Sequence, residues 1–229
     1  IYSPISIFFS ACYTESLFLM LSLYGIYYYQ QEKNWKATVY FILASCTRSN
    51  GFLLAIFILY HGYKQVFLYK KYHFLYINLI QCIFIILPYI SFNYWSWNKY
   101  HQQQKYFIQF YPYIQDKYWQ VGFLKQYNLQ QLPNLFLALP ILLISLRAIY
   151  ITLMKGSKKF IPYCLYWSVL LLLSITMIHL QVSTRFMAHI PLLYWFLAND
   201  ETKQSYYQYY TLIYFLLGCI LFSSFLPWT

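Results

Sequence analysis

Residues 74–92 read FLYINLIQCIFIILPYISF, a stretch without a single charged side chain. A helix that crosses the hydrocarbon core of a bilayer needs about 20 predominantly apolar residues, and this stretch has that length. The chain opens on another long apolar run, Ile1–Tyr29, whose one charged residue is Glu15. Taken together, apolar runs separated by polar punctuation lie near 4–29, 35–47, 51–63, 73–95, 132–153, 160–181, 186–198 and 206–226. Hydrophobic residues make up 61 % of the 229 positions and charged residues 9 %, where a soluble globular domain carries about 25 % charge. Such a chain cannot cover a water-facing surface. The reading is an all-α, polytopic integral membrane protein, with 1–229 forming a single multi-span membrane domain.

Sixteen Lys and Arg stand against five acids, a net charge of +11. In a soluble protein that excess would suggest nucleic acid. Here the basic residues sit mainly in short gaps between apolar runs, where they orient membrane helices, and no basic stretch is dense enough for a nucleic-acid arm. Cys12, Cys46, Cys82, Cys164 and Cys219 each lie alone in an apolar run, so neither a disulfide framework nor a metal site is read. No nucleotide-binding glycine loop, catalytic-triad spacing or zinc motif is present. The first residue is Ile, with no start Met or signal peptide, and the sequence reads as the C-terminal part of a longer chain.

Two polar breaks decide how the runs alternate. Thr47-Arg48-Ser49-Asn50-Gly51 interrupts the stretch 37–60. Arg at mid-bilayer costs about 2.5–3.5 kcal/mol on insertion scales, and Ser-Asn-Gly is turn chemistry, so a helical hairpin is expected there. His179-Leu180-Gln181-Val182-Ser183-Thr184-Arg185 forms a second polar tip. With both tips as turns, the gaps 30–36, 64–72, 154–159 and 199–205 share one side, and they hold Lys33, Lys36, Lys64, Lys70, Lys71, Lys155, Lys158, Lys159 and Lys203. The excess of Lys makes that side cytoplasmic. Arg48, the long loop 96–131 and Arg185 fall on the other side. The runs 35–47 and 186–198 are short for full spans, about 20 Å each.

Ionisable groups embedded near a membrane are candidates for function. Arg48 and Arg185 sit at the two tips, and the bidentate fork of Arg suits a lipid phosphate; the alternative is snorkelling or anchoring of a helix end. Asp116 lies in the long loop and is the candidate catalytic carboxylate, a group able to take a proton from a hydroxyl; the alternative is a salt bridge to Lys117 or Lys125, or a helix cap. Glu15 lies within the first run, either paired with an Arg or touching substrate. Asn50, Gln115, Trp119, His179 and Gln181 complete the candidate substrate-binding set. The aromatics from Tyr106 to Tyr127 could stack on sugar faces, but Tyr and Trp also line membrane interfaces.

The string Tyr113-Ile114-Gln115-Asp116-Lys117-Tyr118-Trp119-Gln120-Val121-Gly122-Phe123-Leu124-Lys125 resembles the PIG-V family, also called GPI mannosyltransferase II. Gln131-Leu132-Pro133-Asn134 through Ala138-Leu139-Pro140 continues the likeness. So do Tyr13-Thr14-Glu15-Ser16-Leu17-Phe18, Thr47-Arg48-Ser49-Asn50-Gly51, the tip around Arg185, Tyr194-Trp195-Phe196 and the final Phe225-Leu226-Pro227-Trp228-Thr229. The resemblance implies a GT-C-type helix bundle in the endoplasmic reticulum membrane with a lumenal active face. It implies transfer of the second mannose, through an α-1,6 linkage, from dolichyl-phosphate mannose to the glycosylphosphatidylinositol (GPI) precursor. Both substrates are lipids, no metal or other cofactor is implied, and a small membrane accessory subunit is a further expected partner. The family's opening span and first lumenal loop, with its Trp-Asp motif, have no counterpart here, and the resemblance places the main catalytic carboxylate in that loop. A transporter, or a non-catalytic subunit of a lipid-glycan complex, is the competing class. The lack of an internal repeat and the one-sided polar loop count against the transporter.

Overall fold

The computed structural model describes residues 3–100, 110–119, 122–156, 158–200 and 203–224. Tyr106, Gln120, Val121 and the closing string 225–229 lie outside the described residues, as do the side chains of Trp119 and Gln181. The described chain is helical, with no strand among the described residues. It is an all-α polytopic membrane protein. Three helices are long and apolar enough to cross a membrane by length and composition: His73–Tyr100, Leu132–Met154 and Lys158–Thr176, whose first three residues are a 3-10 turn. The chain gathers into two compact units, one of Leu17–Trp119 and one of Ile1–Ser16 with Gln120–Thr229.

The Leu17–Trp119 unit holds most of α2 (Glu15–Gln30), then α3 (Asn34–Thr47), α4 (Ala55–Phe67), α5 (His73–Tyr100) and α6 (Phe110–Trp119). Phe41, Phe57, Leu54, Ile58 and Ile85 form its sealed core. At Arg48 the backbone turns extended, φ −147° and ψ 144°, and a 3-10 turn, Ser49–Leu54, leads into α4. The helix is thus broken at this tip, and the next one starts at Ala55, four residues after the expected start of the run 51–63. Gly51 lies so close to the end of α3 that a Cβ would stand 2.6 Å from the Ser45 Cα and 2.7 Å from the Ala44 carbonyl; only glycine fits without moving backbone.

α5 is 28 residues long, roughly 42 Å, which exceeds a hydrocarbon core of about 30 Å. Its polarity is reversed relative to a soluble helix. Asn78, Gln81, Asn93 and Ser96 are buried, while Leu75, Ile80, Ile83, Phe84, Leu87 and Phe92 are exposed. Only 22 % of its most apolar window is covered by protein. Such a surface is stable against lipid and not against water. At one end of this unit His61 lies between amides, 3.0 Å from Asn34, 3.1 Å from Gln65 and 3.3 Å from Asn78. Side-chain hydrogen bonds of this kind join helices in the absence of a hydrophobic drive between them.

The other unit contains α1 (Ser6–Ser10), α7 (Leu132–Met154), α8 (Ile161–Thr176), α9 (Ser183–Met187), α10 (Pro191–Asn199) and α11 (Gln204–Ser223). Prolines in the first turn start α7, α8 and α10, where the missing N–H has no helical partner to lose. Trp167, Tyr163, Tyr166, Ile141 and Leu193 fill the core, and the Tyr166 hydroxyl meets His189 Nε2 at 2.7 Å. The first apolar run is not one helix: α1 ends at Ser10 and α2 starts at Glu15. Glu15 therefore lies in the first turn of a helix, where the dipole favours a negative charge. The run 186–198 is likewise divided between α9 and α10. The nine residues of α10 reach about 14 Å, under half of a hydrocarbon core.

Candidate functional site

The sequence candidates fall into two groups, one in each unit. In the Ile1–Ser16/Gln120–Thr229 unit, the polar tip after α8 is a 3-10 turn, Leu180–Val182, followed by α9. α9 carries Arg185. Its guanidinium donates to Glu15 Oε1 from Nε, at 2.8 Å, and from Nη2. Residues 170 positions apart in sequence thus form an ion pair. The side chain of Glu15 is 4 % exposed and that of Arg185 16 %. The Arg185 Cζ also lies 4.4 Å from the centre of the buried Phe8 ring and 5.3 Å from that of Tyr13; Phe8, Tyr13 and Phe222 pack edge to face on one another.

This arrangement fixes a cation in one orientation. Guanidinium has five N–H donors, and the Glu15 contacts engage the Nε side. The neighbouring rings attract a cation over their faces, and one of them, Phe8, is buried. A donor group held rigid in a low-dielectric setting is what stabilises charge that develops on an oxygen. His179 is half-buried at the start of the tip, and its carbonyl accepts from the Val182 N–H at 2.9 Å. Gln181 lies on the same 3-10 turn.

The segment after residue 121 packs against the C-terminus of α8, whose last carbonyls have no helical partner. The Leu124 N–H donates to the Thr176 carbonyl at 2.7 Å, and Gln126 Nε2 and the Tyr127 hydroxyl both donate to the Ile175 carbonyl, at 2.5 and 2.8 Å. Gln126 is buried. Between this segment and Leu180 lies a cavity of about 180 Å³.

In the Leu17–Trp119 unit, Arg48 and Asn50 occupy the tip between α3 and α4. Arg48 is half-buried. Asn50 is 6 % exposed, and its Oδ1 accepts no hydrogen bond among the described residues. α6 is tied to this tip through Tyr111: its hydroxyl lies 3.2 Å from Ser49 Oγ, and its N–H donates to Asn93 Oδ1 at 3.1 Å. One turn further along α6, Gln115 is half-buried and Asp116 exposed. The structure thus brings Arg48, Asn50, Gln115 and Asp116 onto neighbouring elements, and it brings Glu15 to Arg185.

Sequence reasoning passed over three features. Ser49, Asn93 and Tyr111 form the tether of α6; Asn93, a polar residue in an apolar helix, was the available signal. The clamp by Gln126 and Tyr127 carries no sequence signature. Arg147 is the sole charge in the run 132–153, the same kind of signal that Arg185 carries. Its Nε and Nη2 both donate to Asp200 Oδ2 at 3.1 Å, and the Tyr207 hydroxyl donates to the same oxygen at 2.8 Å. Among the described residues no three His, Cys, Asp or Glu side chains gather as a metal site would require.

The chain matches the family model described as mannosyltransferase (PIG-V) over residues 1–157 and 152–229. It is 26 % identical to GPI mannosyltransferase 2 of Yarrowia lipolytica, across 99 % of this chain and 64 % of the relative. It is 26 % identical to GPI alpha-1,6-mannosyltransferase 2 of Homo sapiens, across 99 % of this chain and 68 % of the relative. With GPI mannosyltransferase 2 of Drosophila pseudoobscura pseudoobscura it shares 35 % identity over 52 % of its own length and 32 % of the relative's. The chain therefore spans from about a third to about two thirds of the length of these curated relatives. No solved structure matches it.

Proposed function

The chain belongs to the mannosyltransferase (PIG-V) family, and from that premise we propose that it takes part in moving mannose from dolichyl-phosphate mannose to the GPI precursor through an α-1,6 linkage. In this reading it is a GT-C-type enzyme of the endoplasmic reticulum membrane that works on the lumenal face. The family match covers the whole chain, and the observation that carries the chemistry is the oriented guanidinium of Arg185.

Both substrates are lipids, so the reaction belongs at a membrane edge. The acceptor hydroxyl attacks the anomeric carbon and passes its proton to a carboxylate base of the full-length protein, the bond from that carbon to the phosphate oxygen breaks, and dolichyl phosphate leaves with the electron pair. Charge builds on the phosphate as that bond opens. Arg185, held by Glu15 and Phe8, meets that charge without having to reorganise; Arg48, in the other unit, is the alternative cation for that role. Asp116 is exposed on a helix tethered to the Arg48 tip, which suits a residue that orients the acceptor. The Lys-rich gaps put the opposite ends of the helices in the cytosol. A small membrane accessory subunit remains part of this proposal.

The test is transfer of labelled mannose from dolichyl-phosphate mannose to a GPI precursor bearing one mannose, in microsomes containing the full-length protein. A labelled product whose new mannose is released by an α-1,6-specific mannosidase is expected. Transfer of no mannose by folded protein, or uptake of a solute into sealed vesicles in its place, would overturn the proposal.

A further inference from the structure

The cavity beside Leu180 lies on the same polar turn that leads to Arg185. Its lining includes Leu132, Leu135 and Leu180 together with Tyr127, Asn128 and Gln131, with no charged side chain among the described residues. We infer that it seats a neutral sugar ring of the glycolipid acceptor. The inference rests on the mannosyl-transfer reading and names the acceptor subsite within it.

Three observations carry this. The first is charge: a phosphate or carboxylate would find no cation here, so the ligand is uncharged. The second is the state of the two amides. Asn134 Nδ2 donates to Gln131 Oε1 at 2.6 Å, which sets the flip of that amide and leaves its NH2 as a donor. Asn128 Nδ2 donates to the Lys125 carbonyl at 3.2 Å, which leaves Oδ1 as an acceptor. A wall that offers one donor and one acceptor matches hydroxyls, which do both. A hydrocarbon chain would cover these amides without satisfying them. The third is rigidity and size. The wall bearing Tyr127 and Asn128 is fastened to the end of α8 by the three hydrogen bonds from Leu124, Gln126 and Tyr127, so the site is formed before the ligand arrives. Its volume, about 180 Å³, is below the roughly 300–1,000 Å³ of pockets for drug-sized ligands and suits a single ring.

Leu180 begins the same tip that carries Arg185 five residues later. One polar turn thus supplies an apolar wall to the sugar seat and the cation proposed for the donor phosphate. The two substrates would meet at that tip.

The experiment uses the full-length protein in microsomes and two readouts. Asn128→Leu and Gln131→Leu remove the amides at similar size. Each is expected to raise KM for the mannose-bearing GPI precursor about tenfold, the worth of one well-made hydrogen bond, with KM for dolichyl-phosphate mannose unchanged. Separately, Asn128→Cys and Gln131→Cys are alkylated with a maleimide, and the modified peptide is quantified. Protection by the GPI precursor, with none by dolichyl phosphate, is the expected result. Protection by dolichyl phosphate would make the cavity a lipid-chain seat, and protection by neither would remove it as a ligand site; both overturn the inference. Alkylation needs no turnover. A protein that fails to transfer mannose but is still protected by the glycolipid would thus refute the transfer reading alone.

Discussion

At the scale of single residues, the central question is what Arg185 does with the N–H groups left by Glu15. If it holds the donor phosphate, Arg185→Ala should lower mannose transfer about 10²–10³-fold, the range for removal of one oriented oxyanion donor. Arg185→Lys should fall between that variant and wild type, because ammonium keeps the charge and loses the fork. The measurement is transfer rate at matched amounts of folded protein. Near-normal transfer by Arg185→Ala would make the Glu15–Arg185 pair a staple only. Asp116 poses the complementary question. It is exposed on α6, not enclosed as a tuned base would be, so Asp116→Asn should cost about tenfold or less. A catalytic base is worth about 10²–10⁴-fold, and a loss above about 10³-fold, equal in Asp116→Asn and Asp116→Ala, would make it the base. The sequence pointed to both residues as ionisable groups near a membrane. It could not say that Glu15 is the partner of Arg185, because nothing local links residues 170 positions apart.

At the scale of elements, charge placement decides how the helices end and join. Arg147 lies seven residues before the end of α7 and is paired with Asp200 just after α10, with Tyr207 of α11 on the same carboxylate. Three helices meet on one oxygen. Arg147→Ala should lower the apparent Tm of the detergent-solubilised protein, and Asp200→Asn should lower it as well. The double exchange Arg147→Asp with Asp200→Arg should recover part of the loss, since it restores the pair in reverse. Equal Tm in Arg147→Ala and wild type would show that packing alone joins these helices. Hydropathy located the helices well where they are continuous: the run 132–153 coincides with α7, Leu132–Met154. It failed at the break between α1 and α2, where both sides are apolar and a window average shows no change. There the chain needs Glu15 at a helix start, within reach of Arg185.

At the scale of the whole molecule, topology is the proposition to test. The proposed topology puts Lys70, Lys71, Lys158 and Lys159 in the cytosol, following the excess of Lys in the short gaps, and the long loop with the Arg48 and Arg185 tips in the lumen. The sequence contains no Asn-x-Ser/Thr sequon, so an engineered one reports without background. Glycosylation is expected at a sequon near Gln103 and not at one near Lys158; the reverse pattern would invert the topology.

The sequence by itself determined the solvent of this protein. With 9 % charged residues, no folding of the chain could present a water-compatible surface, so a helical membrane protein followed from composition and run length alone. It also determined the turn at 47–51, because Arg and Ser-Asn-Gly are costly inside a bilayer helix wherever that helix packs. Only the tertiary structure decided which charges neutralise each other, that α6 is tied by Tyr111 to the Arg48 tip, and that Gln126 and Tyr127 close the end of α8 to leave a cavity beside it. The reason is physical. Transfer between water and lipid sums over residues one by one and can be read along the chain, whereas an ion pair, a hydrogen bond or a cavity exists only between groups that packing has brought within a few ångströms.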